Sequence, residues 1–196
     1  MKDFTARFLP AVVLLAICFS AHAQQNRIKA SVILLPMSFG TGTIAYERLN
    51  KTLHASWQIN FSVAAGAVAS DAEHVNRKWV TAEKTFYTGK PANLRFMYSF
   101  FVEAGSRIRR PGFIHPPDDS IPQSTKGFEF CPGISIGMHY NISKHFGVQL
   151  FSGPKLVYGK SETRYYDAVG LKYFSVNEGN KLSTGLRFGV LLFYQF

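Results

Sequence analysis

The chain has 196 residues, 46% of them hydrophobic and 15% aromatic, and a formal charge of +10 at neutral pH. So basic a balance calls for acidic partners such as anionic lipid or lipopolysaccharide; nucleic acid would also fit, but export of the chain, argued next, speaks against it. With the leader removed a single cysteine remains, and no later stretch is apolar for long enough to cross a bilayer as a helix, which excludes a disulfide scaffold and a helical membrane protein.

The first element is that leader. In MKDFTARFLPAVVLLAICFSAHA a basic start (Lys2, Arg7) precedes an apolar run from Phe8 to Phe19, and Ala21-His22-Ala23 has the small-x-small form of a signal-peptidase site. Residues 1–23 are expected to be a secretory signal peptide and 24–196 one mature domain. A lipoprotein anchor at Cys18 would call for a small residue before it, where Ile17 stands. Loss of Lys2, Asp3 and Arg7 leaves a mature charge of +9.

Strands follow. In LHASWQINFSV, residues 53–63, Leu53, Ala55, Trp57, Ile59, Phe61 and Val63 share one face, and His54, Ser56, Gln58, Asn60 and Ser62 the other. Only an extended chain of period two does this. FEFCPGISIGMHY, residues 128–140, repeats the pattern, and so does FGVQLFSGPKLVY, residues 146–158, with breaks at Phe151, Ser152 and Val157. The non-apolar face is small and polar rather than charged, which suits the crowded interior of a narrow barrel better than a sheet in water. The final GLRFGVLLFYQF alternates too and stops on Phe196. Such a run fits a barrel's closing strand, whose edge pairs with the first.

The links set direction. Asn50-Lys51 and 141–144 are short and polar, each just after a tyrosine (Tyr46, Tyr140), whereas 68–91, 109–126 and 160–181 are long and charged. Bacterial barrels keep short turns in the periplasm and long loops outside. A chain starting in the periplasm must then place two strands in 28–48, with a break near Phe39-Gly40-Thr41-Gly42. The same parity puts a down–up pair in 93–109, with a tight turn near Ser99, between Tyr98 and Phe100. Eight strands are expected: 28–38, 41–48, 53–67, 92–98, 100–109, 127–140, 145–159 and 182–196. Reading both regions as single strands would give six and reverse the short turns.

Three segments carry a family likeness: Tyr46-Glu47-Arg48, Leu94-Arg95-Phe96-Met97-Tyr98, and 133–144 (GISIGMHYNISK), with Phe196 at the end. On these the chain resembles the small outer-membrane barrels of the OmpA/OmpX transmembrane type, and an uncharacterised bacterial family of outer-membrane β-barrel domains. The resemblance implies an all-β, eight-stranded antiparallel up-and-down transmembrane barrel in the outer membrane. It also implies a C-terminal strand read by the barrel-assembly machinery. It implies no activity and no cofactor.

The inward faces carry Glu47, Arg95, Glu103, Arg107, Glu129, Lys155 and Arg187, beside Gln58, Asn60 and Gln149. In an interior only wide enough for side chains, these charges must pair, and a structural ion-pair plug is the expected arrangement. A gated pore for ions or small solutes is the alternative. His54 and Ser56, two apart, share a face as in some lipid hydrolases, but no orienting carboxylate or oxyanion donor accompanies them. His115, Asp118 and Asp119 lack a metal-ligand spacing. Arg109 and Arg110, approaching the outer rim beside Arg107, suit lipopolysaccharide phosphates. Aromatic and charged residues mix in Ser161-Glu162-Thr163-Arg164-Tyr165-Tyr166 and Leu171-Lys172-Tyr173-Phe174, a composition suited to an adhesive surface. The expectation is a monomeric, non-catalytic barrel with a structural or adhesive role. A soluble periplasmic barrel carrying an apolar ligand is a rival, and it would put the apolar face inside.

Overall fold

Alternation of the kind seen at 53–63 recurs in the structure, a computed structural model that describes residues 26–35, 39–50, 52–68, 73–89, 93–110, 120–167 and 169–196. The expected signal peptide, His115, Asp118 and Asp119 lie outside the described residues. The strands are β1 (Asn26–Leu35), β2 (Phe39–Leu49), β3 (Ala55–Val68), β4 (Glu73–Tyr87), β5 (Leu94–Arg110), β6 (Ser120–Asn141), β7 (Phe146–Asp167) and β8 (Lys172–Gln195). Each pairs antiparallel with the next, and β1 closes on β8: an eight-stranded up-and-down barrel.

The register fixes its dimensions. Partners followed from Ala30 through Ile44, Phe61, Val80, Ala104, Phe130 and Tyr158 arrive at Leu182, while Ala30 itself pairs with Leu192, ten residues further along β8. For eight strands that stagger means a tilt of about 40° and a radius of about 8 Å, room for side chains and little else.

One end, the base, holds the short links and the junction where Asn26 and Phe196 exchange backbone hydrogen bonds at 3.2 and 3.1 Å. In the link after β2, Leu53 takes a positive φ of 59° and packs on the buried cluster of Leu49, Tyr87 and Met97. The opposite end, the rim, is uneven. β1 and β2 have 10 and 11 residues, β7 and β8 have 22 and 24, so the wall climbs steadily from β1 round to β8.

Two sequence expectations need correction. No turn occurs at Ser99: β5 is one strand from Leu94 to Arg110, and buried Ser99 meets the Ser135 hydroxyl at 2.6 Å. The missing strand is β4, inside the stretch expected as loop 68–91. Its charges hide it. Arg77, Thr81, Glu83 and Thr85 point inward with Trp79 and Tyr87, while Lys78 and Lys84 interrupt the outer face on either side of Val80 and Ala82, so neither face reads as apolar. The pair of strands within 28–48 is present, but their link is 36–38, and Phe39–Gly42 belongs to β2. The described parts of 109–126, residues 109–110 and 120–126, are strand, and so is most of 160–181, because β5 to β8 continue beyond the apolar zone, where no hydrophobic period marks them.

The faces are inverted relative to a soluble barrel. Trp57 is 62% exposed, Ile136 71% and Phe188 65%, all pointing outward. On β6 this outer apolar row runs from Phe128 to Tyr140, which at that tilt is a belt about 30 Å tall. Lys126 and Lys160 stand just above it.

Candidate functional site

The polar interior is stacked in tiers, because inward positions recur every second residue on each strand and the stagger brings different strands to one level. Above the base cluster, Glu47 is fully buried and gathers Arg27 and Lys29, each at 3.1 Å. Ser56 donates to it at 2.5 Å, and so does the Tyr87 hydroxyl. Lys29 also donates to Gln58 and Gln149, and Arg27 to Gln195 at 2.8 Å. His139 lies flat on Phe193, ring centres 4.3 Å apart.

The middle tier centres on Arg187. It bridges Glu83 at 2.8 Å and Glu103 at 3.2 Å, and Lys155 reaches Glu103 at 2.6 Å. The guanidinium sits between the rings of Phe101 and Phe151, 4.3 and 4.5 Å from their centres. Glycine makes room for those rings: a Cβ on Gly133 would stand 2.5 Å from Phe101 Cζ, and one on Gly189 2.4 Å from Phe151 Cζ. Nearest the rim, Glu129 takes Arg77 at 2.8 Å and Arg107 at 3.2 Å. A cavity of about 240 Å³ lies between these upper tiers, lined by Asn60, Ser62, Thr81, Trp79, Phe151 and Arg187 among others.

Of the residues read from sequence, Glu47, Glu103, Arg107, Glu129, Lys155 and Arg187 all stand in ion pairs. Arg95 does not join them. It is buried at the base over the Tyr87 ring, 4.8 Å from its centre, and its Nε and Nη2 find no hydrogen-bond partner among the described residues. Sequence reasoning missed Arg27, Lys29, Arg77 and Glu83. The first two precede or straddle the expected start of β1, and the others fall on the unread strand β4, although Arg77, Thr81, Glu83 and Thr85 do keep period two.

His54 and Ser56 are apart in role. His54 is exposed in the base link with its N–H on Asn50 Oδ1, while Ser56 is spent on Glu47. Cys131 is buried against the interior. Arg109 and Arg110 are exposed at the rim end of β5. No group of three potential metal ligands occurs among the described residues.

Above the belt β7 and β8 form a tall ribbon. Tyr165 stacks on Phe174 at 5.4 Å, Arg164 covers Tyr173 at 4.4 Å, and Glu178 binds Lys181 at 2.8 Å, Ser161 at 3.0 Å and Thr163. The hydrogen bonds from Lys181, then those from Thr163 and Ser161, hold the Glu178 carboxyl down at about 2.

No family model matches the chain, and no curated protein matches it. Among solved structures, a major outer membrane protein from Thermus thermophilus is similar with a TM-score of 0.60 and 12% identity, over 89% of this chain and 100% of that one. The ferric yersiniabactin uptake receptor FyuA from Yersinia pestis matches at 11% identity over 76% of this chain and 24% of that one, with a TM-score of 0.25 too low to carry an argument. At such identities the likeness is one of fold: the chain shares the barrel of an outer-membrane protein.

Proposed function

We propose that the protein is a small outer-membrane barrel of the OmpA/OmpX type, without catalytic activity, whose plugged interior is structural and whose rim is a surface-binding ribbon. The observation that carries this reading is the inverted distribution of side chains: a predominantly apolar belt outside and buried, mostly paired charges inside. Water would make the belt costly, and hydrocarbon removes that cost. The same observation disfavours the soluble carrier, whose apolar face would line the interior. The packed cluster of Leu49, Leu53, Tyr87 and Met97 at the base, beneath the Glu47 tier, supports an occluded bore over a pore.

Binding is assigned to the tall β5–β8 wall. Above the belt β8 has no neighbour on its outer side among the described residues, since β1 pairs with it only from Arg27 to Ala30. An exposed edge accepts an added strand, and the stacked aromatics beside it supply side-chain contacts. Arg109 and Arg110 stand at the level of lipopolysaccharide phosphates. The assembly machinery would read β8, and the barrel works as a monomer in lipid.

Membrane fractionation with a comparison of boiled and unboiled gel mobility tests location, and planar-bilayer recording tests the plug. The expected results are outer-membrane recovery, a heat-dependent shift and no steady conductance. Recovery in the soluble fraction, or regular single-channel openings, overturns the corresponding part.

A further inference from the structure

The closing seam is incomplete. Among the described residues β1 and β8 pair from the Asn26–Phe196 junction no further than Ala30–Leu192, although β1 continues to Leu35 and β8 runs on past Leu182. The outer face of β8 is apolar along this unpaired edge at Val190, Phe188 and Leu186, and again at Leu182 beyond Thr184, all exposed. The parting therefore opens within the belt, not above it. It also leads inward. The 240 Å³ cavity is lined both by interior groups (Ser31, Asn60, Arg187) and by Leu186, Phe188 and Val190 from the outside of the wall.

Such a slot has two chemistries. Its mouth is hydrocarbon-facing, flanked by the apolar side chains of Leu186, Phe188 and Val190. Its inner end is cationic: the upper tiers hold Arg77, Arg107, Lys155 and Arg187 against Glu83, Glu103 and Glu129, four to three. Arg187 is buried, lines the cavity, and keeps Nη1 without a hydrogen-bond partner among the described residues.

We propose that the β1–β8 seam is a lateral portal through which a single-chain amphiphile with a carboxylate head, of the fatty-acid class, enters from the lipid. Its head is held in the cavity at Arg187 and its chain lies in the seam along Leu186, Phe188 and Val190. The proposal rests on the belt lying in a membrane. It adds a ligand to an interior otherwise read as structural.

The two tryptophans separate the two ideas, since Trp57 faces the belt and Trp79 lines the cavity. The full chain is reconstituted in phosphatidylcholine vesicles as Trp79→Phe, leaving Trp57, and as Trp57→Phe, leaving Trp79. Bromine quenches indole only at short range. Dibrominated phosphatidylcholine is expected to quench Trp57; failure to do so overturns the membrane reading itself. Dibromostearate is expected to quench Trp79 saturably, at about tenfold lower mole fraction than the matching dibrominated alcohol, as a charge-assisted hydrogen bond requires. Filling the cavity with Ala64→Phe should abolish that difference while the heat-dependent gel shift shows the barrel still folded. If that variant does not fold, Lys155→Gln, which cancels the cationic excess of the upper tiers, should narrow the difference instead. Equal quenching of Trp79 by acid and alcohol, an acid preference that neither variant reduces, or no saturable quenching while Trp57 is quenched by the phospholipid, overturns the portal.

Discussion

Lys29 and Glu47 stand 3.1 Å apart with neither side chain exposed to any measurable degree. Among the described residues Glu47 is the one carboxylate paired with Lys29, and it serves Arg27 as well. The partners are therefore unequal. Glu47→Ala strands two cations in a dry interior, and the loss of one partner from a buried pair costs about 3–5 kcal/mol. Lys29→Met leaves Arg27, Ser56 and Tyr87 still satisfying the carboxylate and should cost well under half as much. Urea unfolding of both variants in vesicles, followed by gel mobility, checks the order.

Ile136 is among the most exposed apolar residues of the belt, at 71%. On a protein in water, arginine at such a site would change stability by roughly half a kcal/mol or less. Facing hydrocarbon near mid-belt, Ile136→Arg should cost about 2–4 kcal/mol. Lys126→Ala, just above the belt on the same strand, should be near neutral. Parallel unfolding titrations of the two variants separate a lipid-facing belt from a wetted one.

The legible parts of this sequence are those where one face meets hydrocarbon and the other a small polar interior. β3 shows this from Trp57 to Val63, and β6 from Phe128 to Tyr140. The alternation of β7 continues through Phe151 and Ser152, with the large ring inside and the small hydroxyl outside, so only its chemistry is broken. β4 was illegible because its inner face carries Arg77 and Glu83 and its outer face Lys78 and Lys84. The upper parts of β7 and β8 were illegible because water reaches both sides. Which charges meet was not readable at all. Arg187 on β8 finds Glu83 on β4 across the bore, and that depends on the ten-residue stagger, a property of the closed ring and not of any one strand.

Glu178 ties the upper ribbon together through Lys181, Ser161 and Thr163. Its carboxyl, held at about 2 against an ordinary 4.5, is a depressed acid. The sign follows: the folded ribbon gains from the carboxylate above pH 4.5 and loses that gain as pH falls from there through about 2. The group is well exposed, so the effect is local ordering rather than global stability. Amide hydrogen exchange at 161–163 and 176–181 should accelerate across that interval beyond the intrinsic rate change. Glu178→Gln should remove the extra pH dependence and leave the barrel's unfolding midpoint unchanged.

Gly189 sits inward on β8 opposite Phe151, with no room for a side chain: a Cβ there meets the ring at 2.4 Å. Gly189→Val would push the Phe151 ring off the Arg187 guanidinium it covers at 4.5 Å. Overpacking of this kind costs about 1–3 kcal/mol. Because the strain comes from ring against branch, Phe151→Ala in the same chain should recover part of it, whereas Phe151→Ala alone should destabilise by opening a void. A double-mutant cycle on unfolding free energy reads the coupling directly, and additivity within about 0.5 kcal/mol would show that the two residues do not meet.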